Sequence, residues 1–178
     1  MNNGLFAGFT KFRNEHENLL TLNKIGESSG SPTWDGGDWP SGGPGFSAWK
    51  NAAAQGIPSG SLTKVTFSAE QWDNGGCYDT STSRFKPTTP GYYYVSTSIQ
   101  YQGIGSTSVN LYLSKNGSYY KMGQYSWPSG YNSYPVNALV YMNGSTDYLE
   151  VYTKHYSGST INLGGESYQT WFQAQKIA

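Results

Sequence analysis

"RFKPTTPGYYYVSTSIQY", residues 84–101, sets two prolines and a glycine directly before three consecutive tyrosines. Proline has no N–H to give a sheet ladder, so Pro87 and Pro90 are expected outside any paired strand. Gly91 permits a sharp backbone bend. Beyond it, Tyr93, Val95, Thr97, Ile99 and Tyr101 share one face at a period of two, the pattern of a long half-buried strand. The stretch reads as a punctuated crossing from one strand into a central one.

The same alternation recurs on either side. "LTKVTFS" (62–68) places Thr63, Val65 and Phe67 on one face, and Leu62, Lys64, Thr66 and Ser68 on the other. "VNLYLSK" (109–115) groups Val109, Leu111 and Leu113, and "KNGS" (115–118) reads as a tight hairpin turn. In "YLEVYTKHY" (148–156), Leu149, Val151 and Thr153 point one way, and Tyr148, Tyr152 and Tyr156 the other. "PVNALVYMNG" (135–144) and "YQTWFQAQKI" (168–177) complete the set. About eight to ten short strands separated by turn signals predict an all-β antiparallel sandwich.

Composition narrows the partners. Charged residues are 12% of the 178-residue chain, about half the usual ~25%, and the formal net charge is zero. Such a chain cannot attract nucleic acid by counterion release or adhere to an anionic membrane, so neither partner is expected. Aromatics reach 16% and there are 23 glycines, which suits strands punctuated by turns. The one cysteine, Cys77, excludes an intrachain disulfide. Its neighbours "DNGGCYD" offer no cation to activate it, so it reads as a buried thiol. The N-terminus lacks the apolar run of a secretory signal and no stretch reaches the ~20 apolar residues of a membrane span. The expectation is a protein made in a cytoplasm.

Three parts are expected: residues 1–25 as an N-terminal attachment arm, 26–45 as a Gly/Ser/Pro-rich linker, and 46–178 as the strand-bearing domain. Phe9, Phe12, His16, Leu19 and Leu20 recur at helical spacing and Gly26 offers a stop, which predicts a short helix over 10–25. The linker glycines do not fall on every third residue, so no collagen stalk is expected. Phe6, Phe9, Phe12, Leu19, Leu20, Trp34 and Trp39 are many apolar groups for a segment without its own core. Ordering a backbone costs ~1–2 kcal/mol per residue, so a partner surface is needed to hold them. The arm reads either as an anchor to another component or as a neck folding back on its own assembly.

The run Phe85, Pro87, Pro90, Gly91, Tyr93 and Val95 resembles the hallmark of C1q-like domains, jelly-roll relatives of tumour necrosis factor, with Val95 where that family usually carries Phe. "FSAWKN" at Phe46 resembles the family's first strand. Tyr78, Asp79 and Phe85 match its approach to the motif, and "VNLYLSKNG" its Lys-Asn-Gly hairpin. "MNGSTDYLEVY" resembles a Gly-Asp segment, though "STD" stands where one Asp is usual. "TWFQAQKI" resembles the closing strand, with Phe172 and Ala174 in place. The resemblance implies a ten-stranded two-sheet jelly roll that assembles as a homotrimer. Small C1q-like trimers also occur on bacteriophage particles. The analogy implies a virion surface protein, a capsid decoration protein bound to the major capsid protein or another virion component. A tail-fibre or receptor-binding tip recognising host-surface glycan is the alternative.

Catalytic motifs are nearly absent. His16 lies in the arm and His155 at a strand end; a Cys77–His155 pair lacks a third orienting group, so a packed histidine is the expectation. Asp35 and Asp38 in "WDGGDW" supply two carboxylates, well short of the six to eight oxygens of a calcium site. No enzyme activity, metal or cofactor is expected. "YSWPSGYNSYP" (125–135) reads as a polar loop presenting Trp127, Tyr131 and Tyr134. Rigid tyrosines among Ser, Gly and Asn form adaptable recognition surfaces. These three, and the Tyr148, Tyr152 and Tyr156 stripe, are candidates for glycan or trimer contact.

Overall fold

The computed structural model describes residues 43–51, 55–127 and 130–177 and the strands Phe12–Arg13 and Leu19–Leu20, without the side chains of 12, 13, 19, 20, 124, 126, 127 and 131. The chain divides into two units, Met1–Gly42 and Gly43–Ala178. In the first, β1 (Phe12–Arg13) pairs antiparallel with β2 (Leu19–Leu20), with Phe12 opposite Leu20. This corrects the expected helix. Few strong helix formers occupy 10–25, and a helix that short is marginal alone; a ladder joins the same apolar residues. Phe6, Phe9, His16, Trp34, Asp35, Asp38 and Trp39 lie outside the described residues.

In the second unit, the crossing at Pro87–Gly91 is built as the sequence indicated. β7 (Tyr78–Asp79) pairs with β8 (Arg84–Phe85), after which the chain leaves the ladder at the prolines. β9 (Gly91–Ile104) follows, entered through Gly91 at φ 148. Tyr93, Val95, Thr97, Ile99 and Tyr101 are fully buried along it. Tyr93 donates its hydroxyl to the Thr89 carbonyl at 2.8 Å and meets the Phe85 ring edge-on at 5.2 Å, tying the crossing to the core. Gly144, at φ 72, lies against Pro90 and the Thr88 carbonyl of the same crossing. A Cβ there would sit 2.6 Å from the Pro90 nitrogen, so only glycine fits.

β9 is an interior strand, next to the edge strand β12, of a five-stranded antiparallel sheet ordered β12-β9-β15-β3-β6. Here β3 is Gly45–Trp49, β6 Ala69–Asn74, β12 Gly130–Met142 and β15 Trp171–Lys176. The facing sheet runs β11-β10-β13-β8-β7, with β5 (Thr63–Lys64) also pairing β13. Its long strands are β10 (Thr107–Lys115), β11 (Ser118–Trp127) and β13 (Leu149–His155). β4 (Gly56–Ile57) and β14 (Ile161–Asn162) form a separate short pair. The β10–β11 hairpin turns through Asn116 at φ 54 and Gly117 at φ 78, the paired left-handed conformation of a tight type I′ turn.

Between the sheets the alternating residues close a single core. Val109, Leu111, Leu113, Leu149, Val151 and Thr153 from one sheet meet Tyr93, Val95, Ile99, Val140 and Phe172 from the other, all fully buried. Phe46 is the aromatic hub. It stacks on Tyr78 at 4.4 Å and 7° and on Phe85 at 5.0 Å, and meets Phe172 edge-on at 4.9 Å. Of the expected strand 62–68 only Thr63–Lys64 joins a ladder, yet the alternation holds, because Val65 and Phe67 are fully buried.

The expected loop 125–135 is a second correction. Tyr125 to Trp127 end β11, and Gly130 to Pro135 begin β12. Pro135 read as a breaker, but β12 is the sheet's edge strand, where a missing N–H costs no ladder bond. Tyr134 therefore points inward. It is fully buried and packs on Tyr101 at 6.0 Å and Tyr125 at 5.4 Å, so it is a core residue and not a surface contact.

Candidate interaction surfaces

The outward face of the five-stranded sheet carries large apolar side chains that are about half exposed. β9 contributes Tyr92 and Tyr94, and β12 contributes Leu139 and Tyr141. The register sets Leu139 beside Tyr94 and Tyr141 beside Tyr92, and the Tyr92 and Tyr141 rings meet at 5.4 Å. Each is about half exposed: 49%, 49%, 52% and 48%. Towards the sheet centre the face turns polar and fine-grained: Ser96 and Ser98 are buried, Ser96 donates to the Asn137 amide oxygen, and Ser47 donates to Gln71 at 2.9 Å. An exposed aromatic cluster of this kind marks an interaction surface. The sequence reading had assigned only the inward tyrosine of "YYY"; its two outward neighbours form this patch.

The outward face of the six-stranded sheet holds the tyrosine stripe. Tyr148 and Tyr152 are half-buried and Tyr156 exposed. Beneath them lies Glu150, nearly fully buried, accepting from Lys64 Nζ at 2.6 Å, Arg84 Nε at 2.7 Å and the Tyr152 hydroxyl at 3.0 Å. Burial alone pushes this carboxyl up; the hydrogen bonds from Lys64 and Arg84 outweigh it and hold the group below the usual carboxylate range. The Arg84 guanidinium also lies 4.3 Å over the Tyr148 ring, and Lys154 lies 4.9 Å over Tyr156. These cation–π contacts orient the stripe. Tyr112 and Tyr119 of the β10–β11 hairpin, stacked at 4.7 Å, extend the aromatic surface.

The two groups considered for catalysis are each committed elsewhere. His155 is fully buried, with Nε2 2.8 Å from the Ile57 carbonyl and Nδ1 accepting from the Ser157 amide at 3.3 Å. With the Ser157 N–H donating to Nδ1, Nε2 is the ring nitrogen that donates to the Ile57 carbonyl. Cys77 Sγ lies 3.2 Å from Asp73 Oδ1, and burial, then that bond, push its thiol far up, away from reactivity. Asp79 is held down to about 2 by the hydroxyls of Ser81 and Thr82, a closed loop cap. Among the described residues no three His, Cys, Asp or Glu side chains converge as metal ligands. Trp127 and Tyr131 lie on β11 and β12, with side chains outside the description.

Solved structures of similar fold include murine APRIL at pH 5.0, with a TM-score of 0.60 and 13% identity over 75% of this chain and 98% of that one. Eiger TNF from S. frugiperda matches with a TM-score of 0.56 and 13% identity over 75% of this chain and 92% of that one. The globular domain of zebrafish complement 1qA protein gives 0.53 and 16% identity, covering 76% and 98%. No protein-family model and no curated protein sequence matches the chain. The chain thus has a C1q/TNF-like jelly-roll fold, as the Phe85–Val95 motif implied.

Proposed function

We propose that the protein is a non-enzymatic, homotrimeric virion surface protein, a capsid decoration protein whose N-terminal arm binds the major capsid protein or another virion component. The observation that carries the self-association is the Tyr92, Tyr94, Leu139 and Tyr141 patch. Fully burying a side chain of this size contributes about 1.5–3 kcal/mol, and each has about half its surface still to bury. A threefold ring that covers the patch on every copy is the arrangement the C1q-like resemblance implies. The arm supports attachment through its aromatic residues, and the neutral, charge-poor composition suits a surface crowded with identical copies. Anchoring three arms at once would give avidity without strong individual contacts.

Sedimentation equilibrium of the full-length protein tests the assembly. The wild type is expected at three times the chain mass, and a Tyr94→Glu, Leu139→Glu double variant at the mass of one chain with an unchanged far-ultraviolet spectrum. A monomeric wild type, or a double variant that stays trimeric, would overturn the assignment of this face.

A further inference from the structure

We propose that the outward face of the six-stranded sheet holds a binding site for a neutral saccharide, in a cleft between the β10–β11 hairpin and β13. The cleft is a shallow depression of about 340 Å³, open to solvent and lined by Leu62, Ser114, Gly117, Ser118, Tyr119 and Tyr152. A drug-sized ligand needs roughly 300–1,000 Å³, so this one accommodates one or two sugar rings.

Three features select the ligand class. First, Tyr119 is 64% exposed, yet one ring face is fixed by stacking on Tyr112 at 23°, so the ring is presented as a rigid plane. A pyranose offers a C–H face to such a plane, and the stiff ring loses little entropy on contact. Second, the lining contains no charged side chain. The Lys64–Glu150–Arg84 cluster beside Tyr152 holds two cations and one carboxylate, and none of the three lines the cleft. An ion in the cleft would therefore meet no counter-charge in its lining, whereas a neutral polyol needs none. Third, polar groups border the apolar wall. The Tyr152 hydroxyl donates to Glu150 and keeps its acceptor capacity, and Ser118, an exposed residue, adds a second hydroxyl. An apolar wall with sparse oriented hydroxyls matches the mixed surface of a sugar.

Saturation-transfer NMR of the full-length protein with methyl glycosides of glucose, galactose, mannose and N-acetylglucosamine, and with their β1,4-linked disaccharides, tests the site. At least one probe is expected to bind saturably in the millimolar range. Tyr119→Ala is expected to weaken it by about tenfold, and Ser118→Trp, which fills the cleft, to abolish it; Tyr168→Ala, at an exposed position outside the cleft, leaves it unchanged. No saturable transfer from any probe overturns the proposal. So does binding that survives both Tyr119→Ala and Ser118→Trp, since it would place the sugar elsewhere.

Discussion

Replacing Glu150 by Gln removes one charge from the interior of the Lys64–Glu150–Arg84 cluster while preserving its shape. The carboxylate accepts two hydrogen bonds from cations and one from the Tyr152 hydroxyl. A hydrogen bond to a charged group contributes about 1.5–3 kcal/mol. The partners moderate that loss: the Lys64 and Arg84 side chains are 28% and 43% exposed, so both cations regain water when the charge goes, and Gln still offers one acceptor oxygen. We therefore expect Glu150→Gln to lower unfolding free energy by about 2 kcal/mol at neutral pH. The sign with pH follows from the lowered native pKa. Stabilisation by the carboxylate is fully present above the ordinary carboxylate value of about 4.3 and is lost as pH falls through the lower native value. Gln does not titrate. The gap between wild type and variant should thus be constant from pH 7 to 5 and close below the native value. Other acids, including Asp147 beside Lys115, titrate in both proteins and cancel in the difference. Urea unfolding at fixed protein concentration, across that range, measures the gap. Equal stability at pH 7, or a gap unchanged at the acid end, would refute the reasoning.

Phe46→Ala removes the ring that stacks on Tyr78 and Phe85, and should cost about 3–5 kcal/mol in the same assay. A loss under 1 kcal/mol would mean that the core collapses around the gap. Gly144→Ala and Gly117→Ala both place a side chain in left-handed backbone, at about 1–2 kcal/mol. Only the former also drives a Cβ into Pro90, so it should be the more destabilising of the two; equal losses would argue against the tight contact between the 143–146 turn and the crossing.

The elements legible in the sequence were those with one buried and one wet face. In β9, β10 and β13 the fully buried apolar residues fall on every second position, while the buried residues between them are polar (Ser96, Ser98, Asn110, Ser114, Glu150), so the period of two survives in the residue types. β6, "AEQWDN", was missed because it is the last strand at its edge and buries no side chain fully, leaving no pattern for burial to impose. Tyr134 was misplaced because Pro135 looks like a loop residue unless the strand is known to be an edge. The exposed patch of Tyr92, Tyr94, Leu139 and Tyr141 was hidden by excess: in "GYYYV" aromatic residues occupy both faces, and only the register to Leu139 and Tyr141 distinguishes core from surface. The cleft at Tyr119 was not legible either, since it joins residues from β10, β11 and β13 with Leu62.

The most direct test of the attachment account is rebinding to virus particles stripped of the protein, read by pull-down and electron microscopy. Full-length protein and a form beginning at Gly43, the first residue of the jelly-roll unit, are compared. The account predicts that both forms are trimeric and that only the full-length protein returns to the shell, as density projecting at fixed positions. Equal rebinding by both forms, or failure of the full-length trimer to bind the shell, would contradict it.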